Sequence, residues 1–213
     1  MRAVIFDLWD TLVEWPAVEA ARLRARIAEL VPVDEEEFGR RWHEVYRASQ
    51  TGPLAEAYRA LGVPDEYIES HVRARHAFGR QVLRPRVGAA AAVAELRRRG
   101  LKTAVISVCS EEVPAAWPET ELAGLFDVET FSSECGLMKP EPEIYLRTAR
   151  ALGVETRDCL FVGDGANDEL LGARRVGMTP VLFLPAGNPP PWPEVRGWAG
   201  PQVSSIEEVL ELC

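Results

Sequence analysis

The chain has 213 residues, a formal net charge of −9, and 47% hydrophobic and 27% charged residues. This length fits one core domain with a smaller insertion. The acidic balance argues against nucleic acid and anionic membranes as partners. No apolar run is long enough for a transmembrane helix or a signal peptide. We therefore predict a cytoplasmic protein, either a monomer or a homodimer.

The chain opens on a short apolar run, Ala3 to Phe6, without alternation of polar residues. Such a run is typical of a strand that is buried on both faces. Asp7 follows at its end, with Asp10 and Thr11 close behind. Ligands bind beyond the carboxyl ends of the strands in an open parallel sheet, so Asp7 is well placed for chemistry.

Residues 14–84 show helical patterns and no strand signal. The predicted helices are Ala17–Val31, Asp34 to about Gln50, Leu54–Leu61 and Asp65–Leu83. Asp34 and Glu37 resemble a capping pair at the start of the second helix. We predict that residues 14–84 form a helical cap subdomain, inserted into a core domain made of residues 1–13 and 85–213.

From Gly88 onward, predicted helices and strands alternate. The strands are Lys102–Ser107, Phe126–Phe131, Cys159–Gly163 and Pro180–Leu184, and the main helices are Ala89–Arg99, Glu141–Leu152 and Asp168–Val176. The Pro-, Gly- and Trp-rich segment 185–201 predicts a loop, followed by a short strand at Val203 and a helix over Ile206–Leu212. The alternation implies right-handed crossovers. The predicted fold is α/β, a Rossmann-like parallel sheet of about five strands with helices on both faces, plus an inserted all-helical cap subdomain.

Polar residues follow or flank several of these strands. Asp7, Ser107 and Asp164 come at strand ends, and Lys139 lies beside them in the predicted topology. Each alone is more typical of a helix cap, a turn or a surface charge. Because parallel strands end at the same edge of the sheet, we expect these four side chains to lie together.

These residue types point to phosphoryl transfer. A phosphate monoester repels a carboxylate nucleophile, so a cation must lie between them. Asp7 and Asp164 can hold Mg²⁺ through hard oxygen ligands. The metal and Lys139 would neutralise the transferring oxygens, and Ser107 would donate to one of them. Asp7 would attack phosphorus and form an aspartyl phosphate, which water then hydrolyses.

Four stretches, FDLWDTLV, VIS, GLMKPEPEIY and FVGDGANDELLGARRVGMTPVLF, carry a family likeness. Over residues 1–13 and 86–184 the chain resembles the haloacid dehalogenase-like (HAD) hydrolase superfamily, in the branch with a helical cap after the first strand. The likeness implies an enzyme with an aspartate nucleophile. Its predicted catalytic residues are Asp7, Asp10, Thr11, Ser107 and Lys139. Its predicted Mg²⁺ ligands are Asp7, the Trp9 carbonyl and Asp164, with Asp168 lying behind Asp164. Its predicted substrate contacts are Trp9, Trp15, Ser107, Val108 and Lys139.

The sequence departs from the family at two positions. Trp9 stands where the phosphatases usually carry an acid–base aspartate, and Asp10 is the nearest carboxylate. Val108 stands where Asn usually follows the serine. We predict a Mg²⁺-dependent phosphatase that acts on a small phosphorylated metabolite.

Two other functions stay open. The first is a 2-haloacid dehalogenase that uses Asp7 without metal, which the aromatic residue at position 9 would suit. That branch of the family resembles this chain poorly at Asp164 and Val108. A catalytically weak HAD-fold binding protein is the other. A phosphonatase needs a lysine in the cap, and residues 14–84 contain none, since Lys102 and Lys139 are the only lysines.

Overall fold

A computed structural model describes all 213 residues. The strands are β1 (Ala3–Phe6), β2 (Lys102–Ser107), β3 (Val128–Phe131), β4 (Cys159–Gly163), β5 (Thr179–Phe183) and β6 (Gln202–Val203). They form one parallel sheet in the order β3-β2-β1-β4-β5-β6. The predicted α/β fold is confirmed, and β6 makes the sheet six-stranded.

Nine α-helices accompany the sheet: α1 (Ala17–Ala28), α2 (Glu35–Thr51), α3 (Leu54–Leu61), α4 (Asp65–Val82), α5 (Ala89–Arg98), α6 (Glu112–Ala116), α7 (Ser132–Cys135), α8 (Pro142–Leu152) and α9 (Glu169–Arg175). The predicted last helix is a short 3-10 helix, Glu207–Glu211. No helix combines the length and the apolar character that crossing a membrane requires.

Each face of the sheet buries its own apolar cluster, because side chains alternate along a strand. In β1, Val4 and Phe6 join one cluster, and Ala3 and Ile5 join the other. All four are fully buried. Burying one Ile or Phe side chain contributes about 1.5–3 kcal/mol. The unbroken apolar run of β1 therefore places this strand in the middle of the sheet, which aims the residue after it at the sheet edge.

Helices α1 to α4 all lie within residues 14–84, which we call the helical insertion. The carboxylate of Asp34 accepts a hydrogen bond from the Glu37 amide at 2.8 Å, as the capping pair predicts. The insertion has a buried cluster of its own, formed by Ile27, Val31, Phe38, Leu54, Tyr58, Leu61, Val63 and Ile68. The chain enters and leaves the insertion side by side, because Val13 pairs with Pro85.

The strand order places β1 between β2 and β4, where the sheet changes its winding direction. Phe6 is in register with Val105 and with Val162. Asp7, Ser107 and Asp164 therefore reach the same carboxyl edge, at the switch point where open α/β sheets bind ligands. Lys102 pairs with Ala3 and lies at the opposite edge.

Candidate active site

Asp7 is fixed at the end of β1 by its backbone and its side chain. Its amide donates to the Val162 carbonyl at 2.8 Å, which continues the β1–β4 pairing. Thr11 Oγ1 donates to Asp7 Oδ2 at 2.9 Å. Asp7 is only 5% exposed. A buried carboxylate with one oxygen held has a defined orientation towards the sheet edge.

Lys139 reaches the same point from the loop before α8. Its ammonium pairs with Asp7 Oδ1 and with Glu169 Oε2. Burial alone would lower the pKa of Lys139, but the two adjacent carboxylates outweigh burial and raise it above its usual value. Lys139 is therefore a charged ammonium placed on the oxygen of Asp7 that Thr11 does not hold.

Three buried carboxylates converge beside this lysine. Asp7, Asp164 and Glu169 each offer an oxygen, and these oxygens lie within 4.8 Å of one another. Burial, and then the charge of Asp7, raise the pKa of Asp164 to about 6. The same causes raise the pKa of Glu169. One ammonium leaves this cluster rich in negative charge, and its hard oxygen donors fit a divalent cation such as Mg²⁺.

The third carboxylate of this cluster is Glu169 and not Asp168. The sequence predicts Asp168 here and misses Glu169. Asn167 and Asp168 both adopt left-handed backbone conformations, with φ of 52° and 57°. They turn the chain so that Asp168 is exposed and α9 begins with Glu169 buried. The Gly165 amide donates to Glu169 Oε1 at 3.0 Å. A Cβ at Gly163 would lie 2.0 Å from that oxygen, so glycine there makes room for the carboxylate.

Ser107 lies at the end of β2, as predicted, and is fully buried. Its hydroxyl has no hydrogen-bond partner in the protein. Buried hydroxyls are nearly always paired, so this donor is suited to a ligand oxygen. The next three residues, Val108, Cys109 and Ser110, line the cavity, whereas the fully buried Ser107 is not among its lining residues. Burial raises the pKa of the Cys109 thiol to about 12, which makes it a poor nucleophile.

Asp10 faces the connection into the helical insertion. Its backbone is left-handed, with φ of 58°. Its Oδ1 accepts from the Trp15 amide at 2.9 Å, and Arg86 Nη2 lies 3.9 Å from the same oxygen. Trp15 also packs edge-on against the half-buried Trp9 ring, with ring centroids 5.0 Å apart. Asp10 thus stabilises the loop that leads from β1 into the helical insertion.

A cavity of about 420 Å³ lies between the carboxyl edge of the sheet and the helical insertion. Asp7, Lys139, Asp164 and Glu169 line one end of it. Its remaining lining includes six aromatic side chains: Trp9, Trp15, Trp42, Tyr46, Tyr58 and Trp192. The cavity therefore joins a charged end to a chamber that carries several aromatic rings, which we call the aromatic chamber.

Trp192 enters this cavity from the segment 185–201, for which the sequence predicted only a loop. Its Nε1 donates to Asp164 Oδ2 at 2.6 Å. The Trp-rich composition is the only sequence signal of this contact, and composition does not name a partner. Trp192 therefore joins the site as a residue that sequence reasoning missed.

The helical insertion is tied to the core beside the cavity. Arg75 of α4 donates through Nε to Glu112 Oε1 at 2.9 Å, and its Nη2 lies 3.4 Å from Ser110 Oγ. Arg47 of α2 pairs with Glu141, two residues after Lys139. These contacts hold the insertion over the charged end of the cavity.

The model of the haloacid dehalogenase-like hydrolase family matches residues 1–177. The chain belongs to this family. A glyceraldehyde 3-phosphate phosphatase of Methanopyrus kandleri is 30% identical to this HAD hydrolase and covers 85% of this chain and 83% of its own length. The (S)-2-haloacid dehalogenase 4A of Burkholderia cepacia is 27% identical and covers 100% and 94%.

Solved HAD structures share the fold. The HAD phosphatase from Thermococcus onnurineus superimposes with a TM-score of 0.74 at 21% identity and covers 100% of this chain and 97% of its own. At that identity the likeness concerns the fold alone. The relatives include phosphatases and a dehalogenase, so the choice between these reactions depends on the chemistry of the site.

Proposed function

We propose that this HAD hydrolase is a Mg²⁺-dependent phosphatase, acting on a small phosphorylated substrate through an aspartyl-phosphate intermediate on Asp7. The observation that carries this proposal is the buried cluster of Asp7, Asp164 and Glu169 around Lys139. A cluster with three carboxylates and one ammonium suits a cation and, with it, a phosphate dianion. Its family relatives named as phosphatases agree with this reaction.

Asp7 would act as the nucleophile. Thr11 and Lys139 each hold one of its oxygens, so the carboxylate is oriented before substrate arrives. Its oxygen forms a bond to phosphorus as the bond to the leaving oxygen breaks, and the electron pair departs with the leaving group. Water then attacks phosphorus, which releases inorganic phosphate and regenerates Asp7.

Lys139 and Ser107 would stabilise the transferring phosphoryl group. The ammonium offsets charge on its oxygens, which is where protein groups act most strongly in phosphoryl transfer. The unpartnered Ser107 hydroxyl donates to one of those oxygens. Both groups are buried, so their hydrogen bonds face little competition from water.

Asp7 and Asp164 would hold Mg²⁺, with Glu169 and the Trp9 carbonyl completing the set. When bound, the ion supplies positive charge against the phosphoryl oxygens. Asp168 has no part in this proposal, because its side chain is exposed and lies outside the cluster. The helical insertion would serve as a cap that keeps water from the reacting atoms.

Dehalogenation of a 2-haloacid is the second candidate. The aromatic Trp9 and the Burkholderia relative favour it. The three carboxylates weigh against it, because a metal-free reaction has no use for so much negative charge around the nucleophile. Halide release from 2-chloropropionate, measured beside phosphate release, separates the two reactions.

The test is phosphate release from p-nitrophenyl phosphate with Mg²⁺, by wild type and by the variant Asp7→Asn. We expect Asp7→Asn to abolish turnover with an unchanged circular dichroism spectrum, and acid-quenched wild type to carry a phosphoryl group labile to hydroxylamine. The exposed Asp168→Asn is the matched control and should keep wild-type turnover. Wild-type turnover in Asp7→Asn, or activity that survives exhaustive chelation, would contradict the proposal.

A further inference from the structure

Every carboxylate that lines the cavity already has a hydrogen-bond or ion-pair partner in the protein. Trp9 occupies the position two residues after the nucleophile. Asp10 accepts through Oδ1 from the Trp15 amide, and Glu112 pairs through Oε1 with Arg75, while its buried Oε2 has no hydrogen-bond partner. The other carboxylates that line the cavity are Asp7, Asp164 and Glu169, which belong to the cluster itself.

The cavity phenols are no better as acids. Burial raises the pKa of Tyr58 to about 12, and burial likewise raises that of Tyr46. A group with a pKa that high is a weak proton donor at neutral pH. With no acid two residues after the nucleophile, the leaving oxygen would depart as an anion and take a proton from water afterwards.

The chamber beside the charged end presents several aromatic rings to a substrate. Trp9 and Trp15 form an edge-to-face pair, and Trp42 and Tyr46 lie on α2 at adjacent turns of one helix face. The aliphatic side chains of Leu23, Ile27 and Leu54 also line the cavity, as do the polar side chains of Arg24, Ser49 and Gln50. Aromatic rings pack best against one another in offset or edge-on arrangements, so these walls suit an aromatic ring.

On the basis of the proposed phosphatase function, we propose that the substrate is an aryl phosphate, whose phenolate leaves without protonation while its ring lies in the aromatic chamber. Two separate observations agree on this class of substrate. Trp9 replaces the usual acid, and aromatic rings line the chamber next to the charged end. A phenol has a pKa near 10, like tyrosine, whereas an alkyl alcohol is closer to water at about 15.7. Without an acid, only the former leaves readily.

The test compares kcat and KM for four phosphates with Mg²⁺. Phenyl phosphate has an aromatic, good leaving group, and cyclohexyl phosphate has a ring of similar size but a poor one. Acetyl phosphate has a good but small leaving group, and glycerol phosphate a poor and polar one. We expect kcat for phenyl phosphate to exceed that for cyclohexyl phosphate by about 100-fold or more, the range that general acid catalysis supplies. We expect acetyl phosphate to show a much higher KM than phenyl phosphate.

Cyclohexyl or glycerol phosphate with kcat/KM within about tenfold of phenyl phosphate would overturn the inference, because an acid would then be acting. Acetyl phosphate with the same KM as phenyl phosphate would overturn the role of the aromatic chamber. Absence of phosphate release from all four, and from p-nitrophenyl phosphate, would instead overturn the phosphatase function itself. The two failures are therefore distinguishable.

Two variants test the residues involved. Trp9→Asp restores a carboxylate at the usual position of the acid and should raise kcat for cyclohexyl phosphate by about 10-fold or more, with little change for phenyl phosphate. Trp15→Ala should raise KM for phenyl phosphate several-fold and leave acetyl phosphate unchanged. Trp198→Ala, outside the cavity, is the control. If Trp9→Asp folds and its kcat for cyclohexyl phosphate is unchanged, position 9 does not determine the preference for aryl leaving groups. If this variant does not fold, the comparison of the four substrates with wild type decides the question.

Discussion

The indole of Trp192 donates to Asp164 Oδ2 at 2.6 Å, while the Ala166 amide donates to Oδ1 at 3.1 Å. Both oxygens of the proposed metal ligand are thus held in place, one by the adjacent turn and one by a distant loop. Hydrogen bonds to a ligating carboxylate fix its orientation and tune its affinity for metal.

Replacing the indole should therefore weaken the metal site. We expect Trp192→Phe to lower Mn²⁺ affinity by about 10- to 100-fold, the usual effect of losing such a partner. Mn²⁺ titration followed by electron paramagnetic resonance measures this without any substrate. Trp198→Phe removes an indole N–H from the same loop, where it donates to the Pro201 carbonyl, and should bind Mn²⁺ as wild type does. If Trp192→Phe binds Mn²⁺ with the same affinity as wild type, the indole of Trp192 has no role in the metal site.

Lys139 should be essential for stability as well as for turnover. Lys139→Met leaves the carboxylates of Asp7 and Glu169 buried without their cation, which costs about 3–5 kcal/mol when one partner of a buried pair is removed. Urea unfolding without metal measures this loss. Adding Glu169→Gln to Lys139→Met should recover part of the lost stability without restoring activity. A change below about 1 kcal/mol in the single variant would place the pair at the level of a surface salt bridge.

Asp10 should tolerate an amide better than a methyl group. Asp10→Asn keeps an acceptor for the Trp15 amide and suits the left-handed backbone, so kcat should fall by less than about tenfold, against 10²–10⁴-fold for loss of a general acid. Asp10→Ala loses both features and should destabilise the fold by about 1–2 kcal/mol. Steady-state kinetics and thermal melts of the two variants separate the structural role from the catalytic one.

The cysteines should differ sharply in reactivity. Burial raises the pKa of Cys109 to about 12 and that of Cys159 to about 11, so both stay protonated at pH 8. The pKa of Cys213 is raised as well, but this thiol is exposed, so iodoacetamide should modify it and spare the two buried thiols, as peptide mass spectrometry can show. Labelling of Cys109 should rise only as the pH approaches its pKa or the chain unfolds. The variant Cys109→Ala should keep wild-type activity. Stoichiometric labelling of Cys109 at pH 8, accompanied by loss of turnover, would contradict this prediction.

Sequence patterns sufficed for the parts of the site that strands position. Asp7, Ser107 and Asp164 follow apolar runs, and parallel pairing brings such ends together without further information. Glu169 escaped prediction because the left-handed turn at Asn167 and Asp168 exchanges which carboxylate faces inward. A side-chain pattern does not reveal such a change in backbone rotation.

Contacts made by loops were equally out of reach. Trp192 is 28 residues from Asp164 in the chain, and no local preference connects an indole to one particular carboxylate. The short β6 strand is similar, since two residues carry no periodicity and their pairing with β5 decides their structure. Non-local packing determined these features.

The scarcity of lysine has a practical consequence for handling this protein. Lys139 is buried in ion pairs that raise its pKa, so amine-reactive reagents meet it as a shielded ammonium. Lys102, whose side chain is 53% exposed, stands at the opposite edge of the sheet from the cavity. Coupling through lysine to a sensor chip or resin would therefore attach the molecule by its far side and leave the cavity facing the solution, ready for ligand.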